Sequence, residues 1–211
     1  MKTLFVIFII VSLIITFEYI KSYGSDEGKA KGRVGEKIVR KELRKLPNSY
    51  IIMNDLLIEC RDETTQIDHV VISSKGIFVI ETKNISGNIQ GDDNTKYWTQ
   101  VLDKYNRRNK FYSPVWQNKT HVKAIKYKFR HMNNIPVYSI IVFSDQCNLK
   151  RVKSDNIVIH IKDLNKNIKR IKSQRILSYN EIKEIEQTLR WSNIKSYRRR
   201  KQHINMVKKK R

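Results

Sequence analysis

Residues 67–83, with the sequence IDHVVISSKGIFVIETK, decide the fold of this chain. Two apolar runs rich in β-branched residues flank a turn sequence at Ser73–Gly76, and this pattern predicts a β-hairpin with a buried face. Three charged residues, Asp68, Glu81 and Lys83, interrupt the apolar pattern. A hairpin that served packing alone would have little use for all three.

These charged residues can meet on one face of the predicted hairpin. Side chains alternate along a strand, so Glu81 and Lys83 point to one face and Thr82 points to the other. Pairing of the two strands brings Asp68 onto the face of Glu81 and Lys83. Two carboxylates and an ammonium group at the end of a sheet can hold a divalent cation and place a charged amine beside a water molecule or a phosphate.

A family resemblance extends this motif over about half of the chain. Asp68 is followed 13 residues later by Glu81-x-Lys83, and this arrangement resembles the core of the PD-(D/E)xK nuclease superfamily. Isoleucine stands before Asp68, where the superfamily's name has proline. More closely, the chain resembles the nuclease-related domain family, NERD, between about Arg33 and Phe143. The ordered pieces that carry the resemblance are Gly35-Glu36, Gln66–His69, Gly76–Lys83 and Pro114-x-x-Gln117-Asn118.

The resemblance and the predicted order of elements imply an α/β fold. That order is helix, strand, hairpin, helix, strand, which matches a restriction-endonuclease-like three-layer core with a mixed central sheet and helices packed on it. We expect this core to be preceded by an N-terminal transmembrane helix.

The resemblance also implies a metal-dependent active centre. Asp68 and Glu81, with the backbone carbonyl of Thr82, would bind Mg²⁺ or Mn²⁺, because carboxylate and carbonyl oxygens with several waters suit such ions. Lys83 would orient or deprotonate the attacking water and offset the charge of the phosphate.

Two more residues enter the predicted site through the resemblance. In this family a glutamate on the first helix and a glutamine on a later helix lie beside the carboxylates, so Glu36 and Gln117 are predicted to support the site. Each has an alternative that the sequence leaves open: Glu36 as a first-turn acid favoured by the helix dipole, and Gln117 as an exposed helix-surface amide. His69 faces away from Asp68 on the same strand, so we predict a structural role for it.

The composition predicts a polyanionic partner. The formal charge of +23 over 211 residues favours nucleic acid or an anionic membrane surface, and charge alone does not choose between them. The two cysteines, Cys60 and Cys147, are isolated in sequence, which predicts buried or half-buried thiols in a reducing compartment and not a disulfide or a metal site.

The N-terminal segment predicts a membrane anchor. Leu4 to Ile20 is an almost wholly apolar run of 17 residues, at the lower edge of the roughly 17 to 25 that cross a bilayer. A cleaved signal peptide is the alternative, but bulky residues continue to Ile20 and Tyr23 interrupts the small-residue pattern. Basic residues after the apolar run predict a single-pass protein with its catalytic domain on the cytoplasmic side.

Sequence periodicity places the remaining elements. One apolar stripe, made of Val34, Ile38, Val39, Leu43 and Leu46, predicts a helix that ends before Pro47. The basic and aromatic segment 106–112 suits phosphate contacts and base stacking, or a solvated loop. Ser113-Pro114 opens a second helix. Further strands are predicted at 50–58, 137–143 and 156–161, with helices at 163–171 and after the capping box Ser178-x-x-Glu181. Turn sequences at 85–89 and 91–94 lie on either side of a short predicted strand, and Tyr97-Trp98 is predicted to pair back across the second turn.

These elements define five predicted segments and one predicted function. The segments are a hydrophobic anchor at 1–23, a polar tether at 24–32, the NERD core at 33–145, a C-terminal strand and helices at 146–194, and a disordered or loosely helical basic tail at 195–211. We predict a membrane-anchored, metal-dependent nuclease that hydrolyses DNA. The alternative is a non-catalytic, membrane-tethered protein that binds DNA or anionic lipid, in which the tail contacts lipid and the charges form a structural cluster.

Overall fold

The computed structural model describes residues 28–61, 63–102 and 107–210. The elements follow in this order: α1 (28–43), β1 (Ile51–Cys60), β2 (Glu63–Ser73), β3 (Gly76–Lys83), β4 (Gly87–Asp92), β5 (Tyr97–Leu102), β6 (Arg107–Tyr112), α2 (Pro114–Lys128), β7 (Val137–Phe143), β8 (Cys147–Lys153), β9 (Ile157–His160), a 3-10 turn (Ile161–Asp163), α3 (Leu164–Arg170), α4 (Tyr179–Ser192) and α5 (Tyr197–Lys210).

The main sheet is mixed and contains the predicted hairpin. Its strand order is β1-β2-β3-β7-β9, with the first three strands antiparallel and the last two parallel to β3. β2 and β3 pair from Ser73 opposite Gly76 to His69 opposite Ile80. Gly76 has a φ of +130°, and a Cβ there would lie 2.3 Å from the carbonyl oxygen of Pro136, so the turn requires glycine.

Helices cover both faces of this sheet. On one face, α2 and α4 pack on side chains such as Val70 and Val79, which are fully buried. On the other face, α1 and α3 pack on alternate residues of the same strands, including Val71 and Ile80. Strands buried on both faces explain why the sequence runs here are almost continuously apolar.

A second sheet has four strands, of which the sequence predicted only the central antiparallel pair, β4 and β5. Its strand order is β6-β5-β4-β8. The sequence of β8, CNLKRVK, has no apolar run, and the basic segment 107–112 forms an edge strand where the sequence left a solvated loop open. The second sheet joins the main one through Trp98 of β5, whose ring stacks on Phe143 of β7 with 6.2 Å between centroids.

The first helix differs from its prediction in two respects. It already covers residues 28–32, so the prediction of a polar tether through Gly32 was wrong for these residues. Val34 and Ile38 are 51% and 45% exposed, whereas Gly35 and Val39 are buried. A Cβ on Gly35 would lie 2.3 Å from the Cβ of Asn84, so the glycine lets the helix approach the sheet and turns Val34 and Ile38 outward.

The predicted membrane segment, 4–20, and tether residues 24–27 lie outside the described residues. Within the described ranges, no helix is both long and apolar enough to cross a bilayer.

The C-terminal region is helical to the end of its described part. The predicted capping box at α4 is confirmed, with Ser178 and Glu181 making reciprocal hydrogen bonds. Residues 197–210, predicted as disordered or loosely helical, form α5, and His203 on it is buried. Both cysteines are free, with Cys60 half-buried and Cys147 buried, as predicted.

Candidate active site

The candidate site lies where β2 and β3 separate. Their backbone pairing ends at His69 and Ile80. Asp68 is the next residue on β2, and its side chain replaces the missing strand partner, because Oδ2 accepts a hydrogen bond of 2.8 Å from the backbone N–H of Thr82. The end of the hairpin therefore holds Asp68 beside Glu81, as the sequence predicted.

Glu81 is nearly enclosed and has two partners. Its side chain is 2% exposed; Oε1 accepts a hydrogen bond of 2.6 Å from Lys83 Nζ, and Oε2 lies 3.2 Å from His121 Nε2. Burial acts to raise the pKa of Glu81, but the Lys83 ammonium and His121 outweigh burial and lower it to about 2. Glu81 is therefore an anion at neutral pH, held by Lys83 and His121.

A second hydrogen bond fixes the His121 ring. Its Nδ1 lies 2.7 Å from the hydroxyl of Thr65 on β2. Because an ionised Glu81 can only accept, His121 Nε2 must carry a proton and donate it; in the neutral ring, Nδ1 then accepts from Thr65. Thr65 and His121 thus orient one oxygen of Glu81.

Helix α2, which carries His121, also supplies Gln117 to the site. Lys83 Nζ donates to Gln117 Oε1 at 3.0 Å, so Gln117 contacts the predicted lysine. The next residue, Asn118, is fully buried and donates through Nδ2 to the carbonyl of Val79 at 3.0 Å and to the hydroxyl of Ser139 at 2.9 Å. Asn118 therefore anchors the helix across β3 and β7 and sets the position of Gln117.

Burial and repulsion between carboxylates raise the pKa of two acidic residues at the site. Burial raises the pKa of Asp68 well above its usual value, and the Glu81 charge raises it further, against the hydrogen bond from Thr82 and the charge of Lys83. Burial also raises the pKa of Glu36 on α1, with smaller contributions from Asp55 and Glu81. A cation bound near these groups would relieve that repulsion.

The residues fit a cation site that is only partly built from side chains. Within the described ranges, no group of three or more His, Cys, Asp or Glu side chains is arranged to hold a metal ion. The predicted ligands are fewer, namely the Asp68 and Glu81 carboxylates and the Thr82 carbonyl. All are oxygen donors, and Mg²⁺ commonly binds through one or two carboxylates while it retains several waters. Asp68 and Glu36 remain partly exposed, which leaves the site open to solvent.

His69 lies on the opposite face of the sheet from this cluster. It is fully buried, and its Nδ1 is 2.7 Å from Asn54 Oδ1. Burial and the charge of Arg40 lower the pKa of His69 to about 4. This environment suits the structural role predicted for it, because a neutral ring is stable there.

The C-terminal helix α5 is tied to the strand beside the site. The Arg200 guanidinium donates to both carboxylate oxygens of Asp55, at 2.9 and 2.8 Å, and to its backbone carbonyl. Arg199 pairs with Glu59, and His203 hydrogen-bonds with Thr64. A basic helix is thereby fixed to β1 and β2.

Sequence reasoning missed Thr65 and Arg200 and did not assign a role to His121. The spacing offered one signal: Gln117 and His121 are four residues apart and thus lie on one helix face. Thr65 and Arg200 had no signal, because their partners are distant in sequence.

The fold is mixed α/β with mixed sheets, which is consistent with a nuclease-like fold. Residues 31–144 match the nuclease-related domain family, more than half of the 211 residues, and the chain belongs to this NERD family. An uncharacterized protein from Bacillus anthracis is 34% identical over 184 residues, which cover 85% of this chain and 84% of that protein. No solved structure gives a significant match.

Proposed function

We propose that this protein is a metal-dependent nuclease that hydrolyses phosphodiester bonds in DNA, on a restriction-endonuclease-like core. The observation that carries the proposal is the arrangement at the end of the β2–β3 hairpin. There the carboxylates of Asp68 and Glu81 lie beside Lys83, whose ammonium contacts both Glu81 and Gln117. The net charge of +23 supports a polyanionic substrate.

In the proposed mechanism, Asp68, Glu81 and the Thr82 carbonyl would hold Mg²⁺ or Mn²⁺. The bound ion would supply Lewis-acid stabilisation of the charge on the phosphate. Lys83 orients the attacking water and offsets the same charge. Glu36 adds a carboxylate at the open side of the site.

Two contacts hold the reacting groups in place. Gln117 accepts a hydrogen bond from Lys83 and limits where the ammonium can lie. His121 donates to one oxygen of Glu81 and leaves the carboxylate a single orientation. Such supporting contacts matter because small displacements of catalytic groups reduce rates strongly.

Plasmid cleavage tests the proposal. The full chain should cut DNA at low salt with Mg²⁺ or Mn²⁺ and not with EDTA. Glu81→Ala should reduce cutting by more than roughly 100-fold, because even groups outside the ligand set of a metal contribute 10- to 100-fold. Glu184→Ala is the matched control, since Glu184 is half-exposed and paired with His131.

Two other outcomes of the cleavage experiment would contradict parts of this proposal. If Lys83→Ala cuts as well as the unaltered protein, the role given to Lys83 is wrong. If the unaltered protein and Glu81→Ala bind DNA equally and neither cuts, the protein is a binding module. The contacts of the buried Glu81 with Lys83 and His121 support the binding-module alternative, because such a charge cluster can also be structural.

We also propose that the apolar segment Leu4–Ile20 anchors the protein in a membrane, with the nuclease domain on the cytoplasmic side. The support is the length of the apolar run and the basic residues that follow it. High salt releases proteins held by charge but not a spanning helix. The protein should therefore stay in the membrane pellet at high salt; release into the supernatant would contradict the anchor.

A further inference from the structure

A cavity of about 410 Å³ opens beside the candidate site, between the ends of β1 and β2 and the outer side of α2. The proposed hydrolysis assigns no role to it. The lining residues used below are Arg61, Glu63, Thr64, Thr65, Thr120, Lys123 and Tyr127.

The chemistry of the cavity suits a nucleotide. Lys123 and Arg61 supply positive charge for a phosphate, against one carboxylate in the lining, Glu63. Three threonine hydroxyls line the cavity. Each is already hydrogen-bonded within the protein, to His203, His121 or the carbonyl of Trp116, and each retains an oxygen lone pair that can accept from a ligand. Tyr127 is 37% exposed, and two guanidinium groups lie over its ring, that of Arg130 at 4.3 Å and that of Arg61 at 5.9 Å from the ring centroid. An exposed ring beside basic side chains is the combination that binds a base and its phosphate without sequence preference.

Hydrogen bonds link a residue in the wall of the cavity to the candidate active site. Thr65 lines the cavity, and its hydroxyl hydrogen-bonds with His121 at 2.7 Å. His121 in turn donates to Glu81 at 3.2 Å. Only two hydrogen bonds therefore separate the cavity from the carboxylate proposed to hold the metal.

We propose that this cavity is a nucleotide subsite, which takes one unpaired nucleotide of a DNA strand that continues to Glu81 and Lys83, since Tyr127 lies about 15 Å along α2 from Gln117 beside Lys83. The inference rests on the proposed nuclease function and names its substrate form. A base can enter a cavity only when it leaves the stack, and this costs least in single-stranded DNA. The protein therefore prefers DNA with an unpaired stretch at the site of cleavage.

Base stacking on Tyr127 can be measured without catalysis. The full chain is titrated, in EDTA, into a short single-stranded oligonucleotide that contains 2-aminopurine, whose fluorescence falls when it stacks on an aromatic ring. Tyr127→Ala should weaken binding by about 5- to 150-fold and abolish the fluorescence change. Tyr127→Phe should preserve both, as should the matched control Tyr179→Ala, which removes a tyrosine that is 71% exposed on α4.

The charge of the cavity gives a second measurement. Lys123→Gln should lower the slope of log affinity against log salt concentration by about 0.7, the value for one contact with a single strand. A fully paired duplex of the same sequence should bind unaltered protein and Tyr127→Ala alike. If Tyr127→Ala binds the single strand as tightly as unaltered protein, with the same fluorescence change, the subsite does not exist.

Failure of the subsite and failure of the nuclease are distinguishable. Cutting with Mg²⁺ that is indifferent to Tyr127 overturns the subsite and leaves the hydrolysis standing. Binding that depends on Tyr127 without any cutting supports the subsite and refutes the hydrolysis.

Discussion

Replacing Glu81 with glutamine should lower the free energy of unfolding of the metal-free protein by about 3 kcal/mol at pH 7. Lys83 and His121 hold the pKa of Glu81 at about 2, against 4.5 for an unperturbed glutamate, and each pKa unit corresponds to about 1.36 kcal/mol. The Glu81 side chain is 2% exposed, so solvent screens these contacts little. Glutamine keeps the shape of the side chain and removes its charge.

The same shift predicts a pH dependence of definite sign. Because the pKa is lower in the folded than in the unfolded protein, the stabilisation by Glu81 is complete above pH 4.5 and is lost as the pH falls toward 2. The difference in unfolding free energy between the unaltered protein and Glu81→Gln should therefore shrink from about 3 kcal/mol at pH 7 to about 1 kcal/mol at pH 3.

Urea unfolding in EDTA, followed by tryptophan fluorescence between pH 7 and pH 3, measures this difference directly. Glu184→Gln serves as the control, because its half-exposed side chain should contribute less than about 1 kcal/mol. A difference for Glu81→Gln that does not change with pH, or a glutamine variant as stable as the unaltered protein, would refute the reasoning. The carboxylate would then not be held as an anion by Lys83 and His121.

Asp68→Asn should abolish metal-dependent cutting yet raise the free energy of unfolding of the metal-free protein at pH 7, because burial and the Glu81 charge raise the pKa of Asp68. This gain in stability should fade as the pH falls and the native aspartate is protonated. Urea unfolding at several pH values measures it. The pKa of His69 is lowered from 6.5 to about 4, so its ring should stay neutral at pH 5 when the ring signals are followed by NMR. Its burial should cost up to about 3 kcal/mol of stability as the pH falls from 6.5 to 4. A titration midpoint near pH 6.5 would contradict this prediction. Arg200→Met removes the hydrogen bonds to Asp55 and the carbonyl of Ile194, so hydrogen exchange of α5 should become faster and stability should fall by about 1–2 kcal/mol, while Arg198→Met at an exposed position should change neither.

Local sequence determined much of the fold. The hairpin at 67–83 follows from two β-branched runs and a turn, and its strand alternation placed Glu81 and Lys83 on one face. The start of α2 after Ser113 and the capping box of α4 are also local, because each cap bonds to a backbone group three residues away. These features were predictable since the interacting groups are neighbours in the chain.

The unpredicted parts of the fold depend on contacts between distant segments. The strand β8 has a mainly basic sequence and forms because β4 offers it a parallel partner, not because of its own propensity. Similarly, the buried face of α1 is set by the close approach at Gly35 to Asn84, which an apolar stripe alone does not reveal.

The candidate site likewise contains features that depend on local sequence and features that depend on contacts between distant segments. The acidic and basic groups of the hairpin, Asp68, Glu81 and Lys83, could be placed together from the sequence, because strand pairing and alternation fix their relative positions. The orientation of Glu81 by Thr65 and His121 depends on the folded arrangement, since 56 residues separate Thr65 from His121. The ionisation of the two carboxylates also depends on tertiary structure, because burial is set by how the helices pack over the sheet. Glu81 is an anion, whereas the pKa of Asp68 is raised.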